Sequence, residues 1–240
     1  MALSLQIIRA PATIAGAAAK HFVSAIPMRS PWHVALSGGR IAKAFYEAIV
    51  AEVRSTSRYI DHVHFFFADE RCVPPDSADS NFLTARQSLF DPLHIRAEQM
   101  HRIHGEVDDD YAAKEAEAEL CRVAPLNNEG QPILDLVILG MGEDGHTASL
   151  FPGEPESLLN DTAVYRAVTA VKPPPRRITL GYSALRAARQ LVVLVPGTGK
   201  EVILQAVLDQ VSANNSQMPL ARVLHGHNNA VIFTDVEVKR

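Results

Sequence analysis

Cysteine is nearly missing from this chain: Cys72 and Cys121 are the only two in 240 residues. Two thiols build no disulfide framework, and neither stands in a CxxC or Cys/His spacing that would hold zinc. A reducing, cytoplasmic compartment is therefore expected. A basic excess is also missing, with 23 Lys and Arg against 27 Asp and Glu and a net charge of −4, so no charge footprint points to nucleic acid. No apolar run approaches the ~20 residues of a membrane span. Arg9, Pro11, Lys20 and His21 interrupt the region where a secretory signal needs an apolar stretch, so neither signal nor membrane association is expected. Repeats, linkers and low-complexity blocks are lacking too, and residues 1–240 are read as one domain. With 47% hydrophobic and 21% charged residues, that domain buries a sizeable core.

What the sequence does have is alternation. Apolar, strand-like runs fall at 3–8, 32–36, 62–68, 134–139, 163–169, 178–180, 190–195 and 229–234, with a short candidate at 100–104. Between them lie helical signals: an Ala-rich run from Pro11 to about 26, a segment with apolar Ile41, Phe45, Ala48, Ile49 and Val53, and 81–90 stopped by Asp91-Pro92. Others are an Ala/Glu-rich run capped by Asp110, and segments from about 183, from 200 to 210, and from Pro219. Asp108, Asp109 and Asp110 read as helix capping and a solvated turn rather than a metal cluster. Strands alternating with helices mean an α/β fold, with a mostly parallel, Rossmann-like sheet and helices on both faces.

The organising stretch is LDLVILGMGEDGHTASLFPG, residues 134–153. A buried strand runs into three glycines, two acids and a histidine, followed by a short helical signal from Thr147. Three other loops also sit just past the C-terminal end of a buried strand: Ser37-Gly38-Gly39, Asp69-Glu70-Arg71, and Gly197 to Lys200. In a parallel sheet those ends share one edge, so the four loops are expected to meet around one crevice. Ser37-Gly38-Gly39 at a helix start offers free N–H groups to an anion, and Lys200, in the first turn of its helix, adds a cation.

Two nucleotide motifs fail on inspection. The GTGK ending in Lys200 has Leu194 where a P-loop needs glycine and Glu201 where it needs Ser or Thr. Gly140 to Gly145 does match GxGxxG. Glu143 and Asp144 would nevertheless repel a pyrophosphate, and Pro152-Gly153 cuts the following helix short. His146 is instead the candidate base. It follows an acid by two residues, and the helix start expected there would keep its ring neutral, while Asp144 could fix its tautomer or merely cap the helix. Arg71 offers a fixed cation for substrate or oxyanion, or a partner for Asp69 or Glu70. With no nucleophile motif and no HExxH, water activation against a reactive carbonyl needs neither metal nor cofactor.

At these residues the chain resembles the 6-phosphogluconolactonase family of the glucosamine-6-phosphate isomerase/6-phosphogluconolactonase superfamily. The matches are SGG at Ser37, FADERCVPPDSADSN from Phe67 to Asn81, GMGEDGHTASLFPG from Gly140 to Gly153, and PPPRRITL from Pro173 to Leu180. The resemblance implies a cofactor-independent hydrolase opening 6-phospho-D-glucono-1,5-lactone, on a fold shared with glucosamine-6-phosphate deaminase and ribose-5-phosphate isomerase. It implies His146, Asp144 and Arg71 as catalytic residues, and Ser37, Gly38, Gly39, Arg40, Asn81, Gly142, Arg177 and Lys200 as substrate or phosphate contacts. No metal is implied, and a monomer or weak homodimer is expected. One departure stands out: Arg40-Ile41-Ala42 replaces the usual Ser-Thr-Pro after SGG. The deaminase branch shares SGG and the GHxA core but carries DEY and FNEPG where this chain has Asp69-Glu70-Arg71 and SLFPG ending at Gly153. A sugar-phosphate sensor on the same fold would add a DNA-binding domain, for which these residues leave no room.

Overall fold

A computed structural model describes residues 5–10, 13–197, 199–213 and 216–238. Leu3, Pro11 and Thr198, each part of an expected element or loop, lie outside the described residues. Six strands form the main sheet, all pairs parallel: β1 (Leu5–Arg9), β2 (Trp32–Leu36), β3 (Val63–Phe67), β5 (Leu136–Gly140), β8 (Leu191–Val195) and β9 (Ala230–Thr234), in the order β1-β9-β8-β5-β2-β3. Strand β9, the last in the chain, lies inside the sheet, with β1 at the edge. Every residue of β2, β8 and β9 is buried, so both faces are covered, as their continuous apolar runs require.

The covering helices follow the sequence pattern. Thr13 caps α1 (Ile14–Ala25), its hydroxyl accepting from Gly16 N–H at 3.2 Å. Phe22 of α1 packs edge-on against Trp32 and against Phe45 of α2 (Ala42–Thr56). In α2 the buried stripe is Phe45, Tyr46, Ile49, Val50 and Val53. At full burial, each such side chain contributes about 1.5–3 kcal/mol.

A second sheet was not expected. Asp69–Arg71 is a strand, β4, not the end of a loop, and it pairs antiparallel with β7 (Arg176–Leu180), which pairs with β6 (Tyr165–Thr169). Beyond β4, Ser80 caps α3 (Asn81–Ala85), which runs through a π-helical turn, Arg86–Phe90, into α4 (Asp91–Leu93). The helix therefore passes Asp91-Pro92, because Pro92 falls in the first turn of the last segment, where its missing N–H costs nothing. The 100–104 candidate makes only one bridge, Met100 to Phe65. Helix α5 (Asp109–Val123) is capped by Asp108, not Asp110, through Tyr111 N–H. The remaining helices are α6 (Glu156–Leu159), α7 (Tyr182–Ala187), α8 (Glu201–Ser212) and α9 (Pro219–Leu224).

No helix begins at Thr147. Ala148 has a left-handed φ of 48°, Thr147 and Leu150 bond each other across a tight bridge, and Ser149 is pinned to Asp69 and Thr179. Short polar side chains that find local partners compete with helix formation, and here they win. The next helical turn is α6, past Gly153.

Candidate active site

The strand order places β5 between β8 and β2, so the loops after β2, β5 and β8 open side by side. Together with β4 and β7 they line one cleft of about 230 Å³. Of the eleven residues expected to form the site, ten line it: Ser37, Gly38, Gly39, Arg40, Arg71, Asn81, Gly142, His146, Arg177 and Lys200. Asp144 stands just behind, reaching the cleft through His146.

His146 is held by its own loop. Asp144 Oδ1 accepts the His146 backbone N–H at 3.1 Å and contacts ring Nδ1 at 2.5 Å. Gly145, with φ of 80°, turns the chain between them. Burial works against ionising Asp144, but the His146 backbone and ring hydrogen bonds outweigh it and hold the carboxyl below its usual range. An ionised Asp144 only accepts, so it selects the neutral tautomer with the proton on Nδ1 and the lone pair on Nε2. The ring leans on Phe151, centroids 4.9 Å apart. With no helix at Thr147, the helix dipole expected there is missing; Asp144 and Phe151 orient the ring.

Gly142 was expected to touch substrate, but its N–H donates to His146 O at 2.9 Å and is already used. What Gly142 supplies is room: a Cβ there would lie 2.0 Å from His146 Nδ1. Gly38 does the same for Asn81, whose Oδ1 would be 1.8 Å from an added Cβ. The N–H groups of Gly38, Gly39 and Arg40 bond no described residue, although α2 itself begins only at Ala42. These residues line the cleft beside Ser37, whose buried hydroxyl is also without a partner among the described residues. Donors left open in this way form an anion nest.

Cations surround that nest. Arg71 pairs with neither Asp69 nor Glu70 through its side chain; Nη1 donates to Asp79 O at 2.5 Å and buried Nε has no described partner. Arg177 stands opposite it in the β4–β7 register. Burial, then the neighbouring Arg71, lowers the Arg177 guanidinium from its usual value. Two like charges paired across strands oppose each other unless an anion lies between them. Lys200 precedes α8 rather than sitting in its first turn, and its Nζ donates to Met141 O at 2.5 Å. Burial first, then Arg40, lowers its ammonium, against a smaller opposing pull from Glu143. Lys172, from the link between β6 and β7, adds a fifth cation to the lining.

Three charged lining residues were not singled out from the sequence: Asp69 and Glu143, which it placed at the crevice only as parts of their loops, and Lys172. Asp69 is buried, accepts Ser149 Oγ at 2.7 Å and Asn81 Nδ2 at 3.3 Å, and so fixes the cleft floor. Its position at the end of an apolar run was a usable signal. Glu70, beside it, faces away: it accepts the N–H groups of Arg71, Asn81 and Phe82 at 2.8 Å and Ser80 Oγ at 3.0 Å. Burial raises its carboxyl despite those bonds. Among the described residues, no group of three or more His, Cys, Asp or Glu side chains is arranged to hold a metal ion, and no helix is long and apolar enough to cross a membrane.

Residues 9–232 match the family model described as glucosamine-6-phosphate isomerases/6-phosphogluconolactonase. The chain is 34% identical over 222 residues to a probable chloroplastic 6-phosphogluconolactonase 3 of Oryza sativa subsp. indica, covering 88% of this chain and 66% of that one. It is 33% identical over 207 residues to the 6-phosphogluconolactonase of Haemophilus influenzae, covering 85% of each. Among solved structures, 6-phosphogluconolactonase from Trypanosoma brucei superposes with a TM-score of 0.83 at 28% identity, over 97% of this chain and 96% of that one. A monomeric glucosamine-6-phosphate deaminase superposes with a TM-score of 0.78 at 16% identity, over 96% of each chain, a likeness of fold alone. On this sequence match and this fold, the chain belongs to the glucosamine-6-phosphate isomerase/6-phosphogluconolactonase family.

Proposed function

We propose that this protein hydrolyses 6-phospho-D-glucono-1,5-lactone to 6-phospho-D-gluconate, the second step of the oxidative pentose phosphate pathway, with His146 activating the water. The observation that carries this reading is the Asp144–His146 pair. Nδ1 is occupied by Asp144, while Nε2 has no described partner on a ring that lines a cation-rich cleft. Nε2 takes a proton from water as its oxygen attacks the lactone carbonyl. Asp144 steadies the imidazolium so formed, and Arg71 faces the charge growing on the carbonyl oxygen. The ring C–O bond then breaks, the imidazolium returns its proton to the leaving oxygen, and a carboxylic acid remains to ionise.

The phosphate is assigned to the nest of Ser37, Gly38 and Gly39 with Arg40 and Lys200. Asn81 and Arg177 contact the sugar from the side of β4 and β7. Gly142 contributes the space for the imidazole rather than a hydrogen bond. The reading includes a cytoplasmic monomer or weak homodimer, with residues 1–240 acting as one domain. No metal or cofactor enters any step, so a chelator should leave turnover unchanged.

The test uses freshly made 6-phosphogluconolactone, with glucosamine 6-phosphate as control substrate. Lactone consumption above the spontaneous rate, with the amino sugar untouched, supports the proposal. Turnover of the amino sugar alone assigns the site to the deaminase branch, and binding of either without turnover makes it a sensor.

A further inference from the structure

Arg40 and Glu143 stand on neighbouring loops at the rim of the cleft. Arg40 follows the Gly38-Gly39 turn after β2, and Glu143 lies in the glycine-rich loop after the neighbouring strand β5. Their side chains meet there, Nη2 to Oε1 at 3.1 Å, with 82% of the Arg40 and 65% of the Glu143 side chain exposed. Both residues line the cleft. A pair so exposed contributes little to folding, because water screens it and two long side chains must be held still. It is therefore easily exchanged for a better partner.

A better partner has a place prepared beside it. The N–H groups of Gly38, Gly39 and Arg40 itself bond no described residue, and Ser37 Oγ is buried without a described partner. Lys200 completes the same end of the cleft, where both Arg40 and Glu143 act on its charge. A phosphate monoester there carries a charge of about −1.5 to −2 and three acceptor oxygens. Glu143 offers Arg40 one negative charge in solvent, and the phosphate offers more charge and several oxygens, two of which the planar guanidinium fork can grip at once.

We infer that Glu143 parks Arg40 at the rim of the cleft and surrenders it to the phosphate of an entering ligand, so that Glu143 sets how tightly phosphate is held. This rests on the phosphate site assigned above, though not on the lactone reaction. Arg40 is the contact; Glu143 is a positioning residue that acts through it. Breaking the parked pair opposes binding, so removing the Glu143 charge strengthens the grip, and it does so through Arg40.

The experiment is a double-mutant cycle on inorganic phosphate affinity, by calorimetry at low ionic strength, using the full chain. Glu143→Gln should tighten phosphate by about two- to fivefold more with Arg40 present than in the Arg40→Ala background, the range expected for releasing one exposed pair. Arg40→Lys, which keeps the charge and loses the fork, should fall between. With the lactone, the Glu143→Gln effect should appear in KM rather than kcat. An equal effect of Glu143→Gln in both backgrounds would mean that Glu143 merely repels the anion, and would overturn the inference. Failure of the unaltered chain to bind phosphate would overturn it too. Coupling in the cycle without lactone turnover would overturn the assigned reaction and support the parked arginine.

Discussion

Gly142→Ala is the sharpest perturbation available, because it changes the catalytic ring without touching it chemically. The added Cβ would lie 2.0 Å from His146 Nδ1, 2.1 Å from Cε1 and 2.7 Å from Cγ. Ordinary contact begins at 3.4 Å, so the ring must retreat by 3.4 − 2.0, or about 1.4 Å. The ring can move, since the His146 side chain is 22% exposed, but moving breaks the 2.5 Å contact with Asp144. A misplacement of about 1 Å costs on the order of 10²-fold in rate, so kcat on the lactone should fall by about 10² or more. Thermal stability should change little, because the displaced group is a partly exposed side chain on a loop. In a cycle with His146→Ala, adding Gly142→Ala should cost almost nothing further, since both act on one group. A Gly142→Ala enzyme within about threefold of the original kcat would refute the placement of His146.

Three other outcomes follow from the geometry. Lys200→Ala should raise KM by about tenfold or more, the worth of a charged hydrogen bond, with a smaller effect on kcat; steady-state kinetics separates the two. Glu70→Gln places an amide hydrogen among N–H donors and should cost about 1–3 kcal/mol, lowering the melting temperature by roughly 2–10 °C; an unchanged melt would deny Glu70 its bracing role. Burial lowers His64, helped by His101, His33 and Arg122, and burial lowers His101, helped by Arg122 and His33; Glu119 opposes both shifts. His64 Nδ1 meets His101 Nε2 at 3.0 Å, His101 Nδ1 meets Glu119 at 2.7 Å, and Asp135 contacts His33. Their stabilisation is complete above the unfolded histidine value of about 6.5 and is lost as pH falls, because unfolded rings take protons that the folded ones refuse. Melting temperature should therefore drop from about pH 7 towards pH 5, and His64→Gln should flatten that drop.

Much of this was legible from the residues, for identifiable reasons. The run WHVAL is continuous apolar β-former and became β2, Trp32–Leu36, with the predicted bounds. Parallel pairing then forced the loops at Ser37, Asp69, Gly140 and Gly197 onto one edge, which made the cleft visible before any side chain was placed. The second sheet was not legible, because β4 has only three residues and β7 opens with Arg176 and Arg177, a charged start that resembles a loop. The helix expected at Thr147 failed on tertiary contacts: Ser149 answers to Asp69, 80 positions away in the chain, and no local pattern encodes that. The end of an apolar run placed the Asp69 loop at the cleft, but not the bracing role of Asp69 itself. Its significance depends on Asn81 and Ser149 arriving from two other elements.

The central claim is that His146, oriented by Asp144, activates water for lactone opening. Its most direct test is acid release from freshly made 6-phosphogluconolactone, followed in a pH-stat beside the His146→Ala enzyme. The account predicts a loss of about 10²- to 10⁴-fold in kcat on removing the base, with inorganic phosphate still bound. Turnover by the His146→Ala enzyme equal to that of the original would contradict it.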